Sequence, residues 1–231
     1  MSRHLRDTEG GLAEAPGIRR LLARCDGAGR RREVEQLVRD VDELKGAARH
    51  DFAIAMHPVQ VRSKLWLIDE LARRRELATS LLIVLGGWYG VLPLLMNWRL
   101  ATPPRQMVCI DVNDAVCEIG ARLIGSLYAN IEHRCADLTE LDYTELAERP
   151  GTVVINTSCE HVPGLVDWWG RVPPGQLVVL QSNNYQGCPD HVNCVYSLDE
   201  FKDQTPMSDL LFEGVLHVAD DLDRFMLIGQ R

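Results

Sequence analysis

The stretch 81–95, LLIVLGGWYGVLPLL, places glycines where a backbone can meet a nucleotide. An apolar run of strand length, Leu81–Leu85, leads into Gly86, Gly87 and, after Trp88 and Tyr89, Gly90. An apolar segment of helix length follows. Strand, glycine turn and helix bring helix N–H groups towards a bound ligand. About twenty residues beyond the turn, the run MVCID ends in Asp111, an acid placed to accept hydrogen bonds from ribose hydroxyls. Trp88 and Tyr89 occupy positions usually held by small residues. Their rings serve either as packing or as a wall facing a cation.

Further polar groups follow the later apolar runs. Cys135-Ala136-Asp137 stand just past the third, and Asn156-Thr157-Ser158-Cys159-Glu160-His161 at the end of the fourth. The fifth ends in Gln181-Ser182-Asn183-Asn184-Tyr185. Ligands of open α/β sheets bind outside the carboxyl ends of the strands, so these positions converge on one edge. Glu160 and His161 have the types of an acid–base pair, or of a solvated loop. Cys188, His191 and Cys194 have zinc-binding types, but zinc needs about four ligands and no second pair follows, so no metal is expected. Lys64, after Ser63 at a helix start, reads as a solvated residue or as a ligand for a carboxylate.

These residues need a scaffold. The chain has 231 residues, enough for one domain with a helical extension, and 46% of them are apolar, enough for a sizeable core. A net charge of -8 argues against non-specific binding to nucleic acid or anionic membrane. The seven cysteines are scattered, which suits reduced thiols in a cytoplasmic protein. The start of the sequence is polar and charged, unlike a signal peptide, and no apolar run is long enough to span a bilayer.

Residues 1–15 read as loose, and Pro16 opens a short helix through Ile18, Leu21 and Leu22. Val34, Leu37, Val38, Val41 and Leu44 recur at helical spacing and predict a helix over 31–45, stopped by Gly46. A loop over 50–61 and a helix over 62–77 follow. From Leu81 onward, strand patterns at 81–85, 107–111, 131–134, 153–156 and 177–182 alternate with helical patterns at 91–98, 113–127, 139–147 and 165–169. Alternation with continuous apolar strands predicts a parallel sheet covered on both faces. The segments 214–218 and 225–229, around an acidic turn, read as a closing strand pair. The expected division is a helical cap over 1–79 and an α/β body over 80–231.

The body resembles the class I S-adenosylmethionine-dependent methyltransferases. The resemblance rests on the glycine turn, Asp111, Asp137, Asn156 and the terminal strand pair. It implies a Rossmann-like, seven-stranded, mostly parallel sheet with Leu81–Leu85 near its centre, helices on both faces and a helical N-terminal cap. It also implies S-adenosylmethionine as cofactor and a small molecule as acceptor. Gly86, Gly87 and Gly90 would lie along the methionine part and ribose, Asp111 would take the ribose hydroxyls, and Asp137 the adenine amine. One departure stands out. The acid usual at the end of strand one is replaced by Val84-Leu85.

The motifs GGWYG, NTSCEHV and QSNNY also resemble S-adenosylmethionine cyclases, which make azetidine-2-carboxylate and methylthioadenosine from the cofactor alone. There Asn156, Ser182, Asn183 and Tyr185 would hold a neutral amine, and Trp88 and Tyr89 would face the sulfonium. The missing acid suits that reaction, since a carboxylate favours the non-nucleophilic ammonium. A nucleotide-binding regulatory domain and a nicotinamide enzyme are the other readings of the same sheet.

Overall fold

The computed structural model describes residues 31–74, 77, 80–144, 149 and 151–231. The expected loose start, the helix opened by Pro16 and Cys25 lie outside the described residues. Three helices come first: α1 (Arg31–Asp42), α2 (Gly46–Ala55) and α3 (Pro58–Ala72). The α/β body follows with β1 (Leu81–Leu85), α4 (Val91–Arg99), β2 (Gln106–Asp111), α5 (Asp114–Gly120) continued by a π-helical turn Ala121–Gly125, and β3 (Ile131–Cys135). Next come β4 (Val153–Asn156), α6 (Leu165–Arg171), β5 (Leu177–Asn183), α7 (Leu198–Gln204), β6 (Asp209–Ala219) and β7 (Leu222–Gln230).

The strands form one seven-stranded sheet in the order β3-β2-β1-β4-β5-β7-β6. The first five are parallel, and β7 runs antiparallel to both β5 and β6. β1 lies inside the sheet between β2 and β4, as its fully apolar sequence requires. Successive strand side chains point to opposite faces, and the two faces have separate cores. Leu82, Val84, Met107 and Cys109 pack with Leu37, Phe52, Leu67 and Leu92 of α1 to α4. Ile83, Leu85, Val108 and Ile110 pack with Trp168, Trp169 and Phe201 of α6 and α7. The leading helices therefore share one core with the sheet. A forked ion pair from Arg99 of α4 to Asp69 of α3, at 2.9 and 3.1 Å, adds to that junction.

Several boundaries differ from the sequence pattern. The expected loop over 50–61 is mostly helical. Ala47, Ala48, Phe52 and Ala55 carry α2 past His50, and Pro58 is tolerated because it is the first residue of α3, with His57 as its cap. Thr139 to Tyr143 are not helical. Asp137 and Asp142 each capture the backbone N–H two residues on, at 2.8 and 2.9 Å, an alternative to helix. α7 lies beyond the expected elements, and Ser197 caps it by accepting from the Glu200 N–H, a Ser-x-x-Glu spacing that marks a helix start. The terminal strands are longer than expected.

Candidate functional site

The carboxyl ends of β1, β2, β4 and β5 meet at one edge, where the glycine turn is tied down by backbone. The Gly87 N–H donates to Ile110 O at 3.0 Å, and the Trp88 N–H donates to Asp111 Oδ2 at 2.9 Å. Asp111 Oδ1 accepts from the Asn113 N–H at 3.1 Å, so the carboxylate is fixed at the mouth of the turn. Trp88 has φ 49, alone among the described non-glycine residues in lying in the left-handed region. Such a conformation persists only where surroundings impose it, and here the Asp111 bond does so.

The glycines divide by task. Gly86, at φ 58, would bring a Cβ to 3.4 Å from Ser158 Cβ, so the turn and the β4 loop close on each other here. A Cβ on Gly87 would sit tightly, 3.0 Å from Cys109 Cβ and 3.2 Å from Val84 O. Gly90, at φ 82, leaves space that His133 of β3 fills, and the His133 ring lies 3.3 Å from Tyr89 O. Gly87 and Gly90 are thus required by contacts within the fold. Of the two alternatives for Tyr89, its packing is what the described contacts give. Its ring is 1% exposed and packs edge-on to Phe52 of α2, so it is core and not a wall open to a ligand. Trp88 is half-buried beside it.

Asp137 sits past β3 with Oδ1 accepting from the Thr139 N–H and hydroxyl, which holds its carboxyl below the usual range. Asn156 closes β4, in register with Leu85 and one residue from the glycine turn. Its Oδ1 accepts from the Ser158 N–H at 2.9 Å, while its buried Nδ2 has no partner. Ser182 Oγ on β5 is likewise buried without a partner. Buried polar atoms are nearly always satisfied, so orphans at a strand-end edge are positioned for something else. Burial pushes the Cys159 thiol well up, which removes it as a nucleophile.

Beside this lies a buried ionic group that the sequence reading only partly anticipated. Glu160 Oε1 accepts from Arg224 at 2.7 Å and from Asn183 Nδ2 at 2.5 Å. The two charged side chains are 2% and 7% exposed. The β5–β7 register sets Arg224 opposite Asn183. Arg224 also donates to Gln60 Oε1 of α3 at 3.3 Å, and Gln60 accepts from the Lys64 ammonium at 3.2 Å. Ser63 and Gln181 exchange two further bonds between α3 and β5. Lys64 is half-buried at the side of this group. Burial, then the charge of Arg224, pulls it down to about 7, with Glu160 acting in the opposite direction. Arg224 was missed altogether, although an arginine in the apolar run LDRFMLIG is a signal in its own right.

His161 and Tyr185 belong to the adjoining loop. His161 Nδ1 lies 3.1 Å from Asp190 O, and its ring is edge-on to His191 at 4.5 Å. Tyr185 folds over Gly187 and faces the edge of His191, held by its N–H to Asn183 Oδ1. The structure thus gathers Gly86, Trp88, Asp111, Asn156 and Ser158 at one end of the edge. Glu160, Lys64, Asn183 and Arg224 form its middle, and His161, Tyr185 and His191 its far end.

No family model matches the sequence, and no curated protein matches it. Solved structures do match in three dimensions. The CurJ carbon methyltransferase superposes with TM-score 0.61 at 10% identity, over 92% of this chain and 70% of that one. The S-adenosylmethionine-dependent methyltransferase SibL gives 0.57 at 12% identity, over 94% and 74%. The geranyl diphosphate C-methyltransferase of Streptomyces coelicolor A3(2), solved with Mg2+, geranyl diphosphate and S-adenosyl-L-homocysteine, gives 0.56 at 12% identity, over 84% and 87%. The seven-stranded, mostly parallel sheet with its antiparallel last pair is the Rossmann-like fold of the S-adenosylmethionine-dependent methyltransferases.

Proposed function

We propose that this chain is an enzyme that binds S-adenosylmethionine and transfers its methyl group to a small molecule. The observation that carries the reading is the Asp111 carboxylate, held by the Trp88 N–H at the mouth of the glycine turn. In this reading Asp111 takes the ribose hydroxyls, and the turn 86–90 lies along the cofactor, through its backbone and Trp88. Asp137 serves the adenine end. Asn156 Nδ2 and Ser182 Oγ offer their unpartnered atoms to ligand. Residues 1–79 act as a cap and 80–231 as the cofactor-binding body, with α3 closing the acceptor side.

The acceptor attacks the methyl carbon in line, and the C–S bond breaks with its electron pair left on sulfur. The acceptor then sheds a proton. Lys64, its pKa pulled down towards about 7 by burial, is the amine proposed to take it. The protein's main contribution is alignment, because the sulfonium carbon is already activated.

A second reading is kept by the uncharged strand end Val84-Leu85 and the unpartnered amide and hydroxyl. In that reading the cofactor's own α-amine attacks its γ-carbon, the C–S bond breaks, methylthioadenosine leaves, and the new ring nitrogen loses a proton. One experiment separates the two. The pure protein is incubated with S-adenosylmethionine, alone and with a metabolite extract, and the products are read by mass spectrometry. S-adenosylhomocysteine that forms only with extract supports methyl transfer. Methylthioadenosine and a four-membered amino acid without extract support cyclisation. A flat calorimetric isotherm with S-adenosylmethionine overturns both.

A further inference from the structure

Among the described residues, one ligand atom from each of Glu160, His161 and His191 lies within 4.8 Å of the others. We propose that these three residues form a binding site for a divalent transition-metal ion, of the zinc or ferrous class, with open positions for a small oxygen ligand. The donors come from two loops, after β4 and after β5, which no spacing within one motif joins.

The case rests on how each donor is left available. Glu160 Oε1 is taken by Arg224 and Asn183, but the buried Oε2 has no partner. A carboxylate oxygen that is buried and unsatisfied costs free energy unless a cation meets it. The histidines are aligned from behind. His161 Nδ1 lies 3.1 Å from Asp190 O, and His191 Nδ1 lies 2.5 Å from Tyr185 O. A carbonyl only accepts, so each Nδ1 carries a proton and Nε2 is the ring nitrogen left for a metal. Metal-binding histidines are oriented in this way, by donating the other ring N–H to a carbonyl or carboxylate. The loop itself is fastened, since the Val192 and Asn193 N–H groups both donate to Glu160 O at 2.9 and 3.0 Å.

The same geometry excludes the cysteine reading. Cys194 Sγ lies 3.2 Å from Tyr185 O and 3.6 Å from His191 Nδ1, on the protonated side of the ring. Two imidazoles and one carboxylate select borderline divalent ions over Mg2+, which prefers oxygen alone. Three protein ligands leave coordination positions open, as in catalytic zinc and non-haem iron sites.

The test uses the full chain stripped of metal by chelator, with Co2+ and Zn2+ as probes. Titration with Co2+ should saturate at a single ion per chain, show visible d–d absorption without a thiolate charge-transfer band, and be reversed by Zn2+. His161→Gln and His191→Ala should each weaken binding at least about 10-fold, the lower end of the loss seen even when an outer partner is removed. Cys188→Ser should leave affinity unchanged. Melting curves of the metal-free variants serve as the folding control. If His191→Ala unfolds the loop, exposed His161→Gln decides alone. A thiolate band, the absence of saturable binding, or wild-type affinity in His161→Gln would overturn the assignment. The inference does not depend on S-adenosylmethionine binding, which calorimetry follows separately.

Discussion

The two ends of the strand edge are built differently. Around β1 and β2, backbone N–H groups fix the glycine turn and the Asp111 carboxylate. Around β4, β5 and β7, the edge is held by side chains that meet across the sequence. Glu160 and Arg224 are 64 residues apart, and Gln60 and Arg224 are 164 apart. The first region is a rigid cradle suited to an invariant ligand. The second is a charged seam between cap helix and sheet, whose properties depend on whether every partner is present. The cofactor half of the proposed site is therefore expected to tolerate loss of one group with a graded effect. The acceptor half should fail more abruptly.

Removing the seam's amine sets the upper bound on that contrast. Lys64→Met should lower kcat by roughly 10²–10⁴-fold with little change in S-adenosylmethionine affinity, if Lys64 takes the proton. In the wild type, activity should rise with pH through about 7, as the ammonium becomes the free amine. A variant with unchanged kcat and an unchanged pH profile would remove Lys64 from the reaction. A lysine whose folded value is depressed penalises the native state increasingly as pH falls from its ordinary value near 10.5 towards about 7. Lys64→Met should therefore raise the melting temperature more at pH 6 than at pH 10.

Breaking the ion pair comes next. Arg224→Ala leaves Glu160 buried and uncompensated, and should cost about 3–5 kcal/mol in urea unfolding. A loss under about 1 kcal/mol would mean that the seam is not the coupled unit described above.

On the cradle side, Asp111→Ala should weaken S-adenosylmethionine binding by about 1.5–3 kcal/mol in calorimetry, because hydrogen bonds to a charged group are lost. Unchanged affinity would take Asp111 out of the cofactor site.

The smallest effect has the opposite sign for stability. Ser182 Oγ is buried without a partner, so Ser182→Ala should stabilise the free protein by about 1 kcal/mol while weakening ligand binding. If denaturation shows Ser182→Ala destabilised instead, the hydroxyl has a structural partner and is not reserved for ligand.

The sequence by itself determined the sheet, the place of β1 inside it, and the glycine turn with its acid. These follow from local patterns. A continuous apolar run is a buried strand, and alternation with helices makes the sheet parallel. The helix over 50–55 and α7 are also legible in local signals, in the spacing of Phe52 and Ala55 and in Ser197 and Glu200. What only the tertiary structure decided is which polar groups meet. Tyr89 and Trp88 are neighbours in the chain, yet one ring is buried against Phe52 of α2 and the other half-buried. Lys64 has the sequence of a surface residue, but α3 places it on Gln60, which Arg224 also reaches. His161 and His191 lie in separate loops that backbone bonds to Glu160 bring together. Periodicity reports which face of an element is apolar. It carries no information about which distant side chain will stand opposite, and the electrostatics of a buried site depend on that alone.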